Sequence, residues 1–210
     1  MVPNDVTDQN RSIAWLALGD SYTIGEGVTA EKRWPMQLAT ALRENGIDIT
    51  DPKIVATTGW TTDELIQGIA VSNLESRYDW VSLLIGVNNQ YRNRDVESFR
   101  IDFRNLLNDA KHRVGGNTRR IVVLSIPDWG VTPFAVGRDR PVIAAQIDTF
   151  NRVKEEETHL CGAHYIDITD ISRKATDSAT GLLAEDGLHP SAMMYGAWVE
   201  RVINIVLREP

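Results

Sequence analysis

Three side chains, one near the start of the chain and two near its end, carry the groups that an acyl transfer requires. Ser21 offers a hydroxyl, His189 an imidazole and Asp186 a carboxylate. A serine hydroxyl is a weak nucleophile and needs a base to take its proton. Histidine suits that task because its unperturbed pKa lies near ~6.5, close to working pH. A carboxylate must fix the ring tautomer and stabilise the imidazolium that forms. Asp186 and His189 stand three residues apart in a segment that ends at Pro190. One tight turn can therefore bring the carboxylate to Nδ1 and leave Nε2 free to face Ser21. The developing oxyanion needs fixed neutral donors. Gly59 has no Cβ, so its N–H can approach a substrate closely. The Asn88 amide is a second donor, and the backbone N–H of Ser21 a third.

The elements that must position these groups follow from the apolar pattern. Short apolar runs at Ile13–Leu18, Lys53–Thr57, Trp80–Ile85, Arg120–Ile126 and His164–Ile168 read as five buried strands. Helical spacing is found over Trp34–Asn45, from Thr61 to about Leu74, over Asp95–Val114, over Val142–Cys161 and over Ser191–Leu207. Strands apolar throughout, alternating with helices, imply a parallel sheet covered on both faces. The expectation is a three-layer α/β/α sandwich forming one domain over residues 12–210, preceded by a flexible arm over 1–11. Ligands bind such sheets at the carboxyl ends of the strands. Ser21 follows the first run, Gly59 the second, Asn88 the third, and the Asp186–His189 segment the fifth.

Composition narrows the function classes. A net charge of −7 argues against nucleic-acid binding, which needs clustered Lys and Arg. The single cysteine, Cys161, permits no internal disulfide and reads as a small buried apolar residue. The polar, acidic start lacks the basic and apolar regions of a secretory signal, and no apolar run approaches a membrane span. The expectation is a cytoplasmic protein. Neither a phosphate loop nor a Gly-x-Ser-x-Gly elbow is present. His112 reads as solvated, His159 and His164 show no metal-ligand spacing, and Glu155–Glu157 reads as a charged helix face. Asp20 reads as a loop-organising acceptor.

The segments GDSYTIGEG, TTGWTT, IGVNNQY and DGLHPS resemble, in matching order, the four sequence blocks of the GDSL-like, or SGNH, hydrolases. They span residues 19 to 191. The resemblance implies a flavodoxin-like five-stranded parallel sheet of order 2-1-3-4-5. It implies Ser21 as nucleophile, Ser21, Gly59 and Asn88 as oxyanion donors, and a His189/Asp186 pair. It implies no metal and no organic cofactor. Tyr22 replaces the leucine of the family name, and Asn89 replaces the aspartate usual after the oxyanion asparagine.

The expected activity is hydrolysis of small carboxylic esters or thioesters through an acyl-enzyme. Acetylated sugars, simple short esters, thioesters and lysophospholipids all fit as substrates. One alternative is an acyltransferase to a sugar or alcohol. Another, of a different class, is a catalytically silent binding module. The residues taken to contact substrate are Tyr22, Trp60 and, in the long loop Trp129–Pro141, Phe134, Val136 and Arg138.

Overall fold

A computed structural model of the chain describes residues 11–209. Of the arm expected over 1–11, residues 1–10 lie outside the described residues, and Arg11 is ion-paired with Asp79 at 2.7 Å. Five strands form one parallel sheet in the order β2-β1-β3-β4-β5. They are β1 (Trp15–Gly19), β2 (Lys53–Ala56), β3 (Trp80–Leu84), β4 (Ile121–Leu124) and β5 (His164–Ile166). Every residue of β1, β3 and β4 is buried, the signature of strands covered on both faces.

The helices are α1 (Ser21–Ile24), α2 (Trp34–Glu44), α3 (Thr62–Val71), α4 (Val87–Tyr91), α5 (Val96–Arg113), α6 (Arg140–Cys161), α7 (Thr169–Ser172) and α8 (Ala192–Val206). Helix α2 packs on α8, while α5 lies against α3 and α6. With right-handed crossovers these two groups cover opposite faces. Local chemistry sets the helix starts. Asp95 accepts the Ser98 N–H, Ser191 the N–H groups of Met193 and Met194, and Thr61 forms a capping box with Glu64.

Several boundaries differ from the sequence reading. Helix α6 starts at Arg140, not Val142, because Asp139 caps it and Pro141 fits its first turn. The loop expected over Trp129–Pro141 therefore ends two residues earlier, at Asp139, and it contains single 3₁₀ turns at Trp129–Val131 and Pro133–Ala135. Helices α1 and α4 are too short to leave a periodic signal. Cys161 ends α6 half-buried. Glu157 is not on an exposed face: it is 3% exposed and held by Arg100 and Arg104 of α5.

The register matters for the site. Gly19 pairs with Ala56 on one side and with Leu84 on the other. The carboxyl ends of β2, β1 and β3 are therefore level, and the segments leaving them emerge side by side. At the opposite, amino ends of the strands, stacked Trp15 and Trp80, 5.6 Å apart, tie β1 to β3. Among the described residues no helix is long and apolar enough to cross a membrane.

Candidate active site

The chain turns from β1 into α1 with no connecting loop. A Cβ on Gly19 would fall 2.2 Å from Thr23 Oγ1 and 2.4 Å from the Leu84 carbonyl oxygen, so only glycine permits so tight a turn. Asp20 is 1% exposed and caps α1, accepting the Tyr22 N–H at 3.0 Å. Burial pushes its carboxyl up to about 7, opposed by that hydrogen bond and by the charge of Lys154. Lys154 reaches under the sheet edge from α6, fully buried, and donates to the carbonyls of Ile85 and Leu124 at 2.9 and 2.7 Å. The sequence reading did not single out Lys154, since a lysine on an amphipathic helix normally faces solvent. Ser21 is the first residue of α1 and is 5% exposed.

Asp186 and His189 lie in a loop closed by a bridge between Leu183 and Pro190. Asp186 Oδ1 accepts the backbone N–H groups of Leu188 and His189, both at 2.9 Å, and Oδ2 meets His189 Nδ1 at 2.6 Å. Burial alone would raise this carboxyl. The hydrogen bonds from the His189 ring and from the two N–H groups outweigh it and hold the carboxyl below its ordinary value. The imidazole also packs against the Tyr22 ring at 5.6 Å, a contact that leucine at this position would make differently.

Gly59 sits in the β2–α3 loop at φ +86°, a left-handed conformation natural to glycine. Asn88, on α4, donates one N–H from Nδ2 to the Trp60 carbonyl at 2.9 Å, which leaves its second N–H for another acceptor. Asn89 is buried beside it. Its Oδ1 accepts the Thr62 N–H at 3.1 Å and its Nδ2 donates to Thr62 Oγ1 at 2.8 Å. Asparagine in place of aspartate thus supports the loop with a donor as well as an acceptor.

Ser21, Gly59, Asn88 and His189 all line one cavity of about 180 Å³. Its remaining wall is mostly apolar, from Tyr22, Val87, Tyr91, Trp129, Phe134 and Leu188, with Thr58 beside Gly59. Among the described residues no hydrogen bond joins Ser21 Oγ to His189 Nε2.

Of the residues expected to contact substrate, Tyr22 and Phe134 are in this wall and Trp60, Val136 and Arg138 are not. Trp60 instead packs its ring over Gly68, where a Cβ would come within 2.2 Å. Val136 is 75% exposed. Arg138 braces the wall from outside, its guanidinium 5.3, 5.5 and 5.9 Å from the ring centres of Tyr91, Trp129 and Phe134. Tyr91 and Trp129 had a sequence signal: one closes the IGVNNQY block and the other opens the loop after β4. Among the described residues no group of three or more His, Cys, Asp or Glu side chains could hold a metal ion.

The family model described as GDSL-like lipase/acylhydrolase family matches residues 17–197. Among curated proteins none matches. Solved structures share the fold at low identity. The psychrotrophic esterase EstA from Pseudoalteromonas sp. is 16% identical, with a TM-score of 0.71 over 94% of this chain and 98% of that one. A lipase/acylhydrolase from Enterococcus faecalis is 18% identical, with a TM-score of 0.72 over 92% and 95%. Axe2, an acetylxylan esterase from Geobacillus stearothermophilus, is 19% identical, with a TM-score of 0.65 over 94% and 93%.

Proposed function

The chain belongs to the GDSL-like lipase/acylhydrolase family, and from that premise we propose that it is a serine esterase acting on small carboxylic esters through Ser21, His189 and Asp186. The observation that carries this reading is the meeting of Ser21, Gly59, Asn88 and His189 at one cavity, with His189 Nδ1 already engaged by Asp186.

In the proposed cycle Ser21 Oγ attacks the ester carbonyl and His189 Nε2 takes the hydroxyl proton. The N–H groups of Ser21 and Gly59 and the free N–H of Asn88 receive the oxyanion. The intermediate collapses, the C–O bond to the alcohol breaks, and His189 returns the proton to the leaving oxygen. Water then attacks the acyl-serine ester with His189 again as base, and the acid is released. Catalytic hydrogen bonds in a substrate-free site are commonly long and tighten in the Michaelis complex, so the Ser21–His189 bond belongs to that complex. The cavity, at about 180 Å³, is little larger than the ~150 Å³ engineered cavity that holds one benzene. That size suits a short acyl group.

The test is hydrolysis of p-nitrophenyl acetate by the wild type and by Ser21→Ala. The wild type should turn over and label with a fluorophosphonate. The variant should do neither while keeping the wild-type melting temperature. Turnover by Ser21→Ala would remove Ser21 as nucleophile, and an unlabelled, inactive wild type would favour a silent binding module.

A further inference from the structure

We propose that Arg92 is a positioning residue for the oxyanion donors, holding Gly59 in register with Asn88 across the end of β1. The proposal rests on the esterase reading above.

The sheet order places β2 and β3 on opposite sides of β1, so no backbone ladder joins the strand that leads to Gly59 with the strand that leads to Asn88. Their donors must converge above Ser21, and something other than the sheet has to fix their separation. Helix α4 and the residue that closes it supply three side chains that do this. Asn88 holds the Trp60 carbonyl and Asn89 holds Thr62. Arg92 donates from Nη2 to the carbonyl of Gly59 itself at 2.5 Å. Asn88 and Arg92 are four residues apart, so they lie on one face, one turn above the other.

The second arm of the Arg92 fork, Nη1, reaches Glu64 Oε1 at 3.1 Å. Glu64 Oε2 accepts the Thr61 N–H at 2.9 Å in the capping box of α3. One guanidinium therefore ties Gly59 to the helix start that follows it. The planar fork suits this two-sided grip. Glycine has the widest backbone freedom of any residue; the Thr57 carbonyl accepts the Trp60 N–H at 3.2 Å and closes a turn around Gly59, and Arg92 adds a hold on the Gly59 carbonyl from outside that turn. The Arg92–Glu64 pair is over a third exposed on both sides, and ion pairs of that kind contribute little to stability. The consequence of the contact is thus for where the Gly59 donor points, and an oxyanion donor misplaced by about 1 Å costs on the order of a hundredfold in rate.

The experiment compares Arg92→Met and Arg92→Lys with the wild type on p-nitrophenyl acetate, together with affinity for a small trifluoromethyl ketone that forms a tetrahedral adduct. Arg92→Met should lower kcat roughly tenfold to a hundredfold, leave KM within about threefold, weaken the ketone in parallel with kcat, and keep the melting temperature. Arg92→Lys, which can still donate to the Gly59 carbonyl, should recover a large part of the loss. Wild-type kcat in Arg92→Met, or a loss that Lys does not restore at all, overturns the proposal. Amide hydrogen exchange at Gly59 and Trp60 is read alongside. It should speed up in Arg92→Met whether or not the wild type hydrolyses esters, and unchanged exchange overturns the positioning role. An inactive wild type would instead count against the esterase reading.

Discussion

The Asp186 carboxylate grips both the ring and the backbone of His189: one oxygen meets Nδ1 at 2.6 Å and the other accepts the His189 N–H at 2.9 Å. The three-residue spacing thus does two jobs, closing the turn and fixing the ring. Asp186→Asn should separate them. The amide oxygen can still accept the N–H groups of Leu188 and His189, so the turn survives. An amide has no charge to stabilise an imidazolium and can hold the ring in the wrong tautomer. The expected outcome is a loss of up to about 10⁴ in kcat with a folded protein. Esterase assays paired with circular dichroism check it, and activity within threefold of wild type would detach Asp186 from the reaction.

Asn88 occupies a different link in the chain of causes. It lines the cavity and holds the Trp60 carbonyl with one N–H, which leaves the other without that duty. Asn88→Ala should lower kcat by about 10²–10³, as loss of an oxyanion donor does elsewhere, with KM little changed. Steady-state kinetics at saturating ester decide it. A rise in KM alone would assign Asn88 to ground-state binding.

How much of this was legible in the sequence follows from which interactions are local. Fully buried strands announce themselves as apolar runs, so β1, β3 and β4 and the residues leaving them were readable. The Asp186–His189 bond spans three residues and was readable too. The cavity wall was readable only in part, because the side on which a residue faces depends on distant packing. Trp60 adjoins Gly59 yet turns away onto Gly68, and Arg138 lies behind three rings drawn from separate elements. Lys154 was invisible for the same reason: the carbonyls that accept from it belong to Ile85 and Leu124, just past the end of β3 and at the end of β4.

Asn89 shows a local departure with a structural reason. Thr62 Oγ1 donates its only proton to Asp102 at 3.1 Å, so Oγ1 needs a donor on its other side, and Asn89 Nδ2 supplies it. Aspartate at 89 would set a buried carboxylate against that oxygen and near Asp102. Asn89→Asp should therefore destabilise by about 1–3 kcal/mol and lower the unfolding midpoint by several degrees. Adding Asp102→Asn should restore part of the loss by removing the neighbouring charge. Calorimetry of the single and double variants tests the coupling, and purely additive effects would refute it.

Glu157 makes stability depend on pH. The Arg104 guanidinium holds its carboxyl below the ordinary value, against an opposing effect of burial, and Arg100 adds to the pull. A depressed carboxylate binds fewer protons folded than unfolded. Its contribution is therefore present above the unfolded pKa, near ~4.3, and is lost as pH falls through the lower folded value. Both arginines keep partial solvent contact, which screens the pair. Glu157→Gln should lower the unfolding midpoint by roughly 2–4 °C at pH 7. The gap from wild type should shrink steadily below about pH 4, because the wild-type carboxyl then also becomes neutral. Thermal melts from pH 7 down to pH 3 follow that closure. A gap that stays constant with pH would trace the loss to packing, leaving the two arginine contacts without an electrostatic part in stability.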